Sequence, residues 1–207
     1  MRGAYEIFKA RNARYQAVAG FYLAAALHLL GDLDEASGLA DNIKKLRPED
    51  LLWHANSDIL LSRIARSQYA KEGDLQQLSK ALNLAKEAHA KASRGEHQLP
   101  LLDATIAAAE AQLDLGRKDE AKKGFRGAAT VSRRLKNYKA LGACVLHLAR
   151  INISEVNMAG ARLELNRWRA LEPLVENGLL RSWATEIEKD LENLKADFRS
   201  GVFTSLR

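Results

Sequence analysis

The sequence predicts an all-helical chain built from repeated helical hairpins, and three observations carry that prediction. Its 207 residues include 34 Ala and 33 Leu, against 18 Val, Ile and Thr together. Ala and Leu favour helices, whereas the β-branched types favour strands. Helix breakers are few, with 13 Gly and 3 Pro. Finally, one turn recurs along the chain: Leu30-Gly31-Asp32-Leu33-Asp34-Glu35-Ala36, Glu72-Gly73-Asp74-Leu75, and Leu115-Gly116-Arg117-Lys118-Asp119-Glu120-Ala121. Its glycines stand at 31, 73 and 116, intervals of 42 and 43 residues. Self-similarity at a fixed period of this size is the mark of a helical repeat array.

Each turn follows an apolar helical stretch and opens another. Glycine ends a helix readily because it adopts positive φ without a Cβ clash. Asp32 and Asp74 then suit the start of the next helix, as caps and as negative charge at the positive end of its dipole. The prolines punctuate: Pro48 follows the first hairpin, Pro100 stands at the start of the third, and Pro173 follows the fourth. Proline is tolerated at helix edges and expelled from interiors.

The elements follow in order. Residues 4–12 (Ala4, Tyr5, Ile7, Phe8) read as the second helix of a hairpin that lacks its first, a half repeat. A chain that starts mid-repeat is expected to be part of a larger regulatory protein, since a bare repeat face is apolar. Helices over 14–30 and 33–46 form the first hairpin (14–46). Helices 50–71 and 75–93 form the second (50–93), 98–115 and 118–135 the third (98–135), and 138–152 and 156–170 the fourth (138–170). A last helix covers 179–199. Its Trp183, Ile187, Leu191, Leu194 and Phe198 fall on one face, with Glu186, Glu188, Lys189, Asp190, Glu192 and Lys195 around the rest. One apolar face and one charged face suit a helix that caps a stack of repeats. The whole chain, 1–207, is expected to be a single α-solenoid domain.

Composition narrows the setting. Hydrophobic residues are 47% and charged residues 28%, which is globular rather than disordered. Cys144 is the only cysteine, so no intrachain disulfide forms, and a reducing cytoplasmic setting is the simplest expectation. No run of 18 apolar residues occurs, so no membrane association is expected. The basic residues Arg2, Lys9, Arg11 and Arg14 before the apolar run 20–30 mimic a signal peptide. The run nevertheless continues in register into the acidic turn with no clear small-residue cleavage site, so it is read as a buried helix.

The pattern resembles the tetratricopeptide repeat (TPR). With Ala17 as the first position of a 34-residue unit, Leu23, Ala24, Leu27, Gly31, Leu33, Ala36, Ala40, Ile43 and Pro48 fall on the family's characteristic positions. Gly20 stands where the family has tryptophan. A unit starting at Leu102 matches Ala109, Gly116, Ala121, Phe125 and Ala128. The second unit carries about three extra residues between Gly73 and Ala81. The fourth has Ser154 at the turn-glycine position, followed by Ala159 and Leu163. The period above 40 is similar to the long-helix variants of kinesin light chains and of sensor domains in bacterial regulators. The resemblance implies a right-handed superhelix of about four helix-turn-helix units plus a C-terminal capping helix, and a protein or peptide partner.

Sites of chemistry are sparse. There is no glycine-rich phosphate loop and no His-Glu-x-x-His. The five histidines (His28, His54, His89, His97, His147) are scattered, and Cys144 sits mid-helix as a packing residue. The expectation is a non-enzymatic protein with no cofactor and no metal. The resemblance implies that the first helix of each hairpin lines a concave groove. Its positions include Phe21, Ala25 and His28, then Arg63, Ser67 and Lys71, then Asp103, Glu110 and Asp114. Phe21 and Ala25 stand where family members that clamp a C-terminal carboxylate use Lys and Asn, so that activity is not expected. The partner-binding residues are expected to be Phe21, His28, Arg63, Lys71, Asp103 and Glu110. Phe21 is expected to be the apolar anchor, and Arg63 and Lys71 to face the same trough as Asp103 and Glu110, either to steer and orient a peptide or, alternatively, to pair with each other and leave nothing free.

A second surface stands out. From Arg117 to Lys139 there are nine Lys and Arg against two acids, +7 where the whole chain carries +6. Within it Lys118, Lys122 and Arg126 are spaced as a helical stripe, with Arg133 and Arg134 beyond. Most simply this is a solvated outer face. The alternative function is a nucleic-acid-associated or transcription-regulatory protein using this basic face. Aromatics for base stacking are thin here, with only Phe125 and Tyr138. The first reading is an interaction scaffold or sensor module of a signalling regulator. The sequence names neither the partner nor the oligomeric state.

Overall fold

The computed structural model describes Gly3, Tyr5 and residues 13–200. The expected half repeat at 4–12 therefore lies, Tyr5 apart, outside the described residues. Nine α-helices and no strands are found among the described residues: α1 (Ala13–Leu30), α2 (Leu33–Leu46), α3 (Leu51–Glu72), α4 (Leu75–Arg94), α5 (Gln98–Asp114), α6 (Lys118–Arg134), α7 (Tyr138–Ser154), α8 (Met158–Leu171) and α9 (Gly178–Ser200). A short 3₁₀ turn, Glu172–Leu174, carries Pro173 after α8. Every helix boundary falls within two residues of its expected position.

The turns explain the boundaries. Gly31, Gly73 and Gly116 all have φ between 74° and 83°, the left-handed conformation expected of them. Asp32 occupies the N-cap of α2. Asp50 accepts from the Trp53 amide and Asp74 from the Gln76 amide, while Asn137 and Asn157 cap α7 and α8. The fourth turn corrects the expectation for Ser154. The left-handed residue is Val156 at φ 62°, forty residues after Gly116. The buried small and large residues shift with it, to Ala161 and Leu165, while Ala159 and Leu163 are exposed.

The chain divides into two compact units, one ending at Arg117 and the other beginning at Lys118. In the first unit each helix packs on the next, and α1–α3 and α3–α5 also pack. The odd helices thus form one layer, with α2 and α4 each packed against two of them. Alanines make close packing feasible: Ala36, Ala40, Ala81, Ala85 and Ala88 are fully buried. Leu23, Leu27, Leu60, Leu61 and Ile64 fill one cluster with Tyr5. Gly20 is where the tryptophan of the resembled family would stand. A Cβ there would lie 3.3 Å from the Tyr5 ring, so the glycine leaves room for that ring. Among the described residues of this unit one charged side chain is fully buried: Asp58, on α3, receives Lys44 from α2 and Lys91 from α4.

In the second unit α6 packs on α7, α7 on α8, and α9 on both α7 and α8. Phe125, Leu146, Ile151, Leu165, Trp168, Ile187 and Leu191 form its interior. His147 of α7 stacks on Phe125 at 4.3 Å between ring centres and meets Trp183 of α9 edge-on at 4.7 Å. Ile187, Leu191 and Leu194 of α9 are buried as its expected face requires, whereas Phe198 is partly exposed, at 39%. The helix thus covers its neighbours over its first four turns.

Candidate functional site

In the first unit, α1, α3 and α5 share one layer, so the residues expected in the groove lie on packed neighbours. A cavity of about 470 Å³ opens there, and His28, Arg63 and Glu110 all line it, together with Arg66, Ser67 and Asp114. Phe21, Lys71 and Asp103 do not. Phe21 is half-buried on α1, two turns before His28, with its ring edge-on to Trp53 and to Tyr22 at 5.8 Å each. Lys71 is exposed near the end of α3, and Asp103 is half-buried near the start of α5.

Pairing inside the cavity differs from the sequence reading, because the cation that meets the acids is Arg66 and not Arg63. Its Nη1 donates to Glu110 Oε2 and its Nε to Asp114 Oδ2 at 2.6 Å, so one guanidinium is forked between two carboxylates. Burial alone would lower the pKa of Arg66, but the charges of Glu110 and Asp114 outweigh that and raise it further. Arg63, three residues earlier on α3, is half-buried and makes no ion pair among the described residues. The Nε2 of His28 lies 2.9 Å from Ser67 Oγ, a hydrogen bond that links α1 to α3. Burial first, and then the positive charges of Arg63 and Arg66, hold the His28 imidazole below its usual pKa. It is therefore neutral at pH 7. The cavity presents one arginine shared by two carboxylates, a cluster of net charge −1, beside the Arg63 guanidinium, which has no ion pair among the described residues.

Sequence reasoning missed Arg66, although the acids at 110 and 114 carried a signal. They are four residues apart on one helical face, the spacing at which two carboxylates can reach a single arginine.

The second unit places the basic residues in two groups. Lys122 forms an ion pair with Glu155, and the Lys118 ammonium donates to the Ser154 carbonyl at 3.5 Å. Both are turned toward the end of α7. Arg126, Arg133 and Arg134 are exposed. The outward stripe therefore does not run through Lys118 and Lys122; exposed Lys123 takes their place.

Among the described residues no helix is long and apolar enough to cross a membrane. No protein-family profile matches the sequence, and no curated protein is recognisably similar to it. Solved structures do match. The chain's fold is similar to that of a Podosopora anserina kinesin light chain with nearly identical TPR-like repeats, at a TM-score of 0.57 and 15% identity, over 90% of this chain and 97% of that one. A point variant of the same protein aligns with TM-score 0.57 and 16% identity, over 91% and 97% of the two chains. The fold is that of a TPR-like helical repeat.

Proposed function

We propose that this chain is a non-enzymatic protein-binding module whose recognition surface is the trough on α1, α3 and α5, and that it accepts an acidic peptide or helix. The observation that carries this reading is the division of labour between two arginines. Arg66 is satisfied by Glu110 and Asp114, while Arg63 lines the same cavity without an ion pair among the described residues. A half-buried guanidinium of this kind gains from a carboxylate brought by a partner. Phe21 and the aromatic group around it supply the apolar contact, Lys71 adds charge at one end, and Asp103 limits how far an acidic partner extends along α5. A role as scaffold or sensor within a larger cytoplasmic regulator fits such a module.

Selection from a random peptide display library tests the reading. Acidic peptides should be enriched on the wild-type protein and lost on Arg63→Glu and Phe21→Ala. Enrichment of basic peptides, or selection unchanged by both substitutions, contradicts it.

A further inference from the structure

We propose a second, independent interaction surface: the outward face of α6 and the turn after it, which binds the phosphate backbone of a nucleic-acid duplex. Between Glu120 and Glu155 the sequence has no acidic residue and eight Lys or Arg. The fold sorts these cations. Lys122 is drawn to Glu155, whereas Lys123, Arg126, Arg133, Arg134, Lys136 and Lys139 are exposed and make no ion pair among the described residues.

Helical geometry gathers the exposed ones on one side. Ala121, Phe125, Ala128 and Ser132 are buried, which fixes the core face of α6. At 100° per residue the opposite face carries Lys123, Arg126, Thr130, Arg133 and Arg134, with exposed Asp119 one turn before Lys123. From Lys123 to Arg134 this face runs about 16 Å. Gly127 and Thr130 lie in its middle, and nothing stands within 4 Å of where a Gly127 Cβ would project. Long cationic side chains thus surround a low centre that a phosphate can approach closely.

The same face argues for a nucleic-acid backbone rather than an acidic protein. Protein interfaces are built around a core depleted in charge and enriched in aromatics. No large apolar side chain is exposed between Lys118 and Lys139. Phosphate contacts need none, because counterion release supplies the affinity. Strand type follows as well. Phe125 is fully buried and Tyr138 half-buried, so the face offers no stacking platform for unpaired bases. Backbone contact without base readout implies binding that is independent of sequence.

Fluorescence anisotropy of a labelled random-sequence DNA duplex with the full chain, across a salt series, tests this. With about four phosphates neutralised, the log–log salt slope should be about −3.6, a loss of about 150-fold between about 50 and about 200 mM salt. The neutral triple variant Arg126→Gln, Arg133→Gln, Arg134→Gln should flatten the slope by about 2.7, and the corresponding Glu variant should lose at least tenfold in affinity at low salt. The triple Lys80→Glu, Lys86→Glu, Lys189→Glu, which alters exposed cations elsewhere, should lose less than the Glu variant at α6. Circular-dichroism melts report whether each variant is folded, and the Gln set retains the test if charge reversal unfolds the helix. Absence of duplex binding at low salt, equal losses for both charge-reversal sets, or displacement of the duplex by an acidic polypeptide whose own binding is lost in the Glu variant at α6, overturns the proposal.

Discussion

Asp58 is fully buried, and its Oδ1 lies 3.0 Å from the Lys44 ammonium while its Oδ2 takes Lys91. One carboxylate on α3 thus ties α2 and α4 to it. Both lysines reach partly into solvent, at 25% and 19% exposure, so each can keep some water while its charge serves the buried acid. Removing the acid leaves two cations around an apolar hole. Asp58→Ala should therefore destabilise the protein by about 3 kcal/mol, measured by urea unfolding.

The same cluster predicts a response to alkali. Burial alone would lower the pKa of Lys44, but Asp58 outweighs it and the pKa is raised. A base with a raised folded pKa contributes stability that is complete below the unfolded value and lost as pH rises through the folded one. Wild type should lose stability above pH 10.5 more steeply than Lys44→Met, compared by thermal melts in that range.

His28 predicts the opposite edge. Its folded pKa is lowered, so between that value and 6.5 the unfolded chain binds more protons. Stability should fall as pH drops through that window and level off below it. The His28→Gln variant, which can still bond to Ser67, should show a shallower fall in unfolding experiments on either side of pH 6.5. An identical fall in both proteins would place the acid sensitivity elsewhere.

The fourth turn offers a stabilising change. Val156 is β-branched and held at φ 62°, where an L-residue carries a cost of about 1–2 kcal/mol. Glycine removes that cost and adds about 0.5–1 kcal/mol of unfolded-state entropy. Val156→Gly should stabilise by about 0.5–1 kcal/mol, and a thermal melt measures it directly. In the third hairpin's second helix, Ala121 is fully buried, and Ala121→Leu should overpack it by about 1–3 kcal/mol.

These cases mark what could be read from the sequence. The turns at Gly31, Gly73 and Gly116 were legible because glycine is the residue that takes positive φ cheaply, so its spacing exposed the hairpins. Val156 was hidden for the converse reason: a valine gives no sign of a left-handed turn, and Ser154 two residues earlier looked the better candidate. The groove layer was legible from the resemblance, which brought His28, Arg63 and Glu110 to one cavity. Arg66 was not, because charge alone does not tell which of two arginines three residues apart meets the acids on α5. Asp58 was hidden too. It sits among buried residues on nearly every side of α3, and the lysines that make its burial tolerable lie 14 residues before it and 33 after.

The protein-binding reading rests on the trough of α1, α3 and α5, and one measurement tests it most directly. An acidic peptide recovered by selection is titrated into isotopically labelled protein while backbone amide shifts are followed. The account predicts that the largest changes fall around Phe21, His28 and Arg63, and that Arg63→Glu abolishes them. Changes confined to α2, α4 or the second unit, with the amides around Arg63 unmoved, would contradict it.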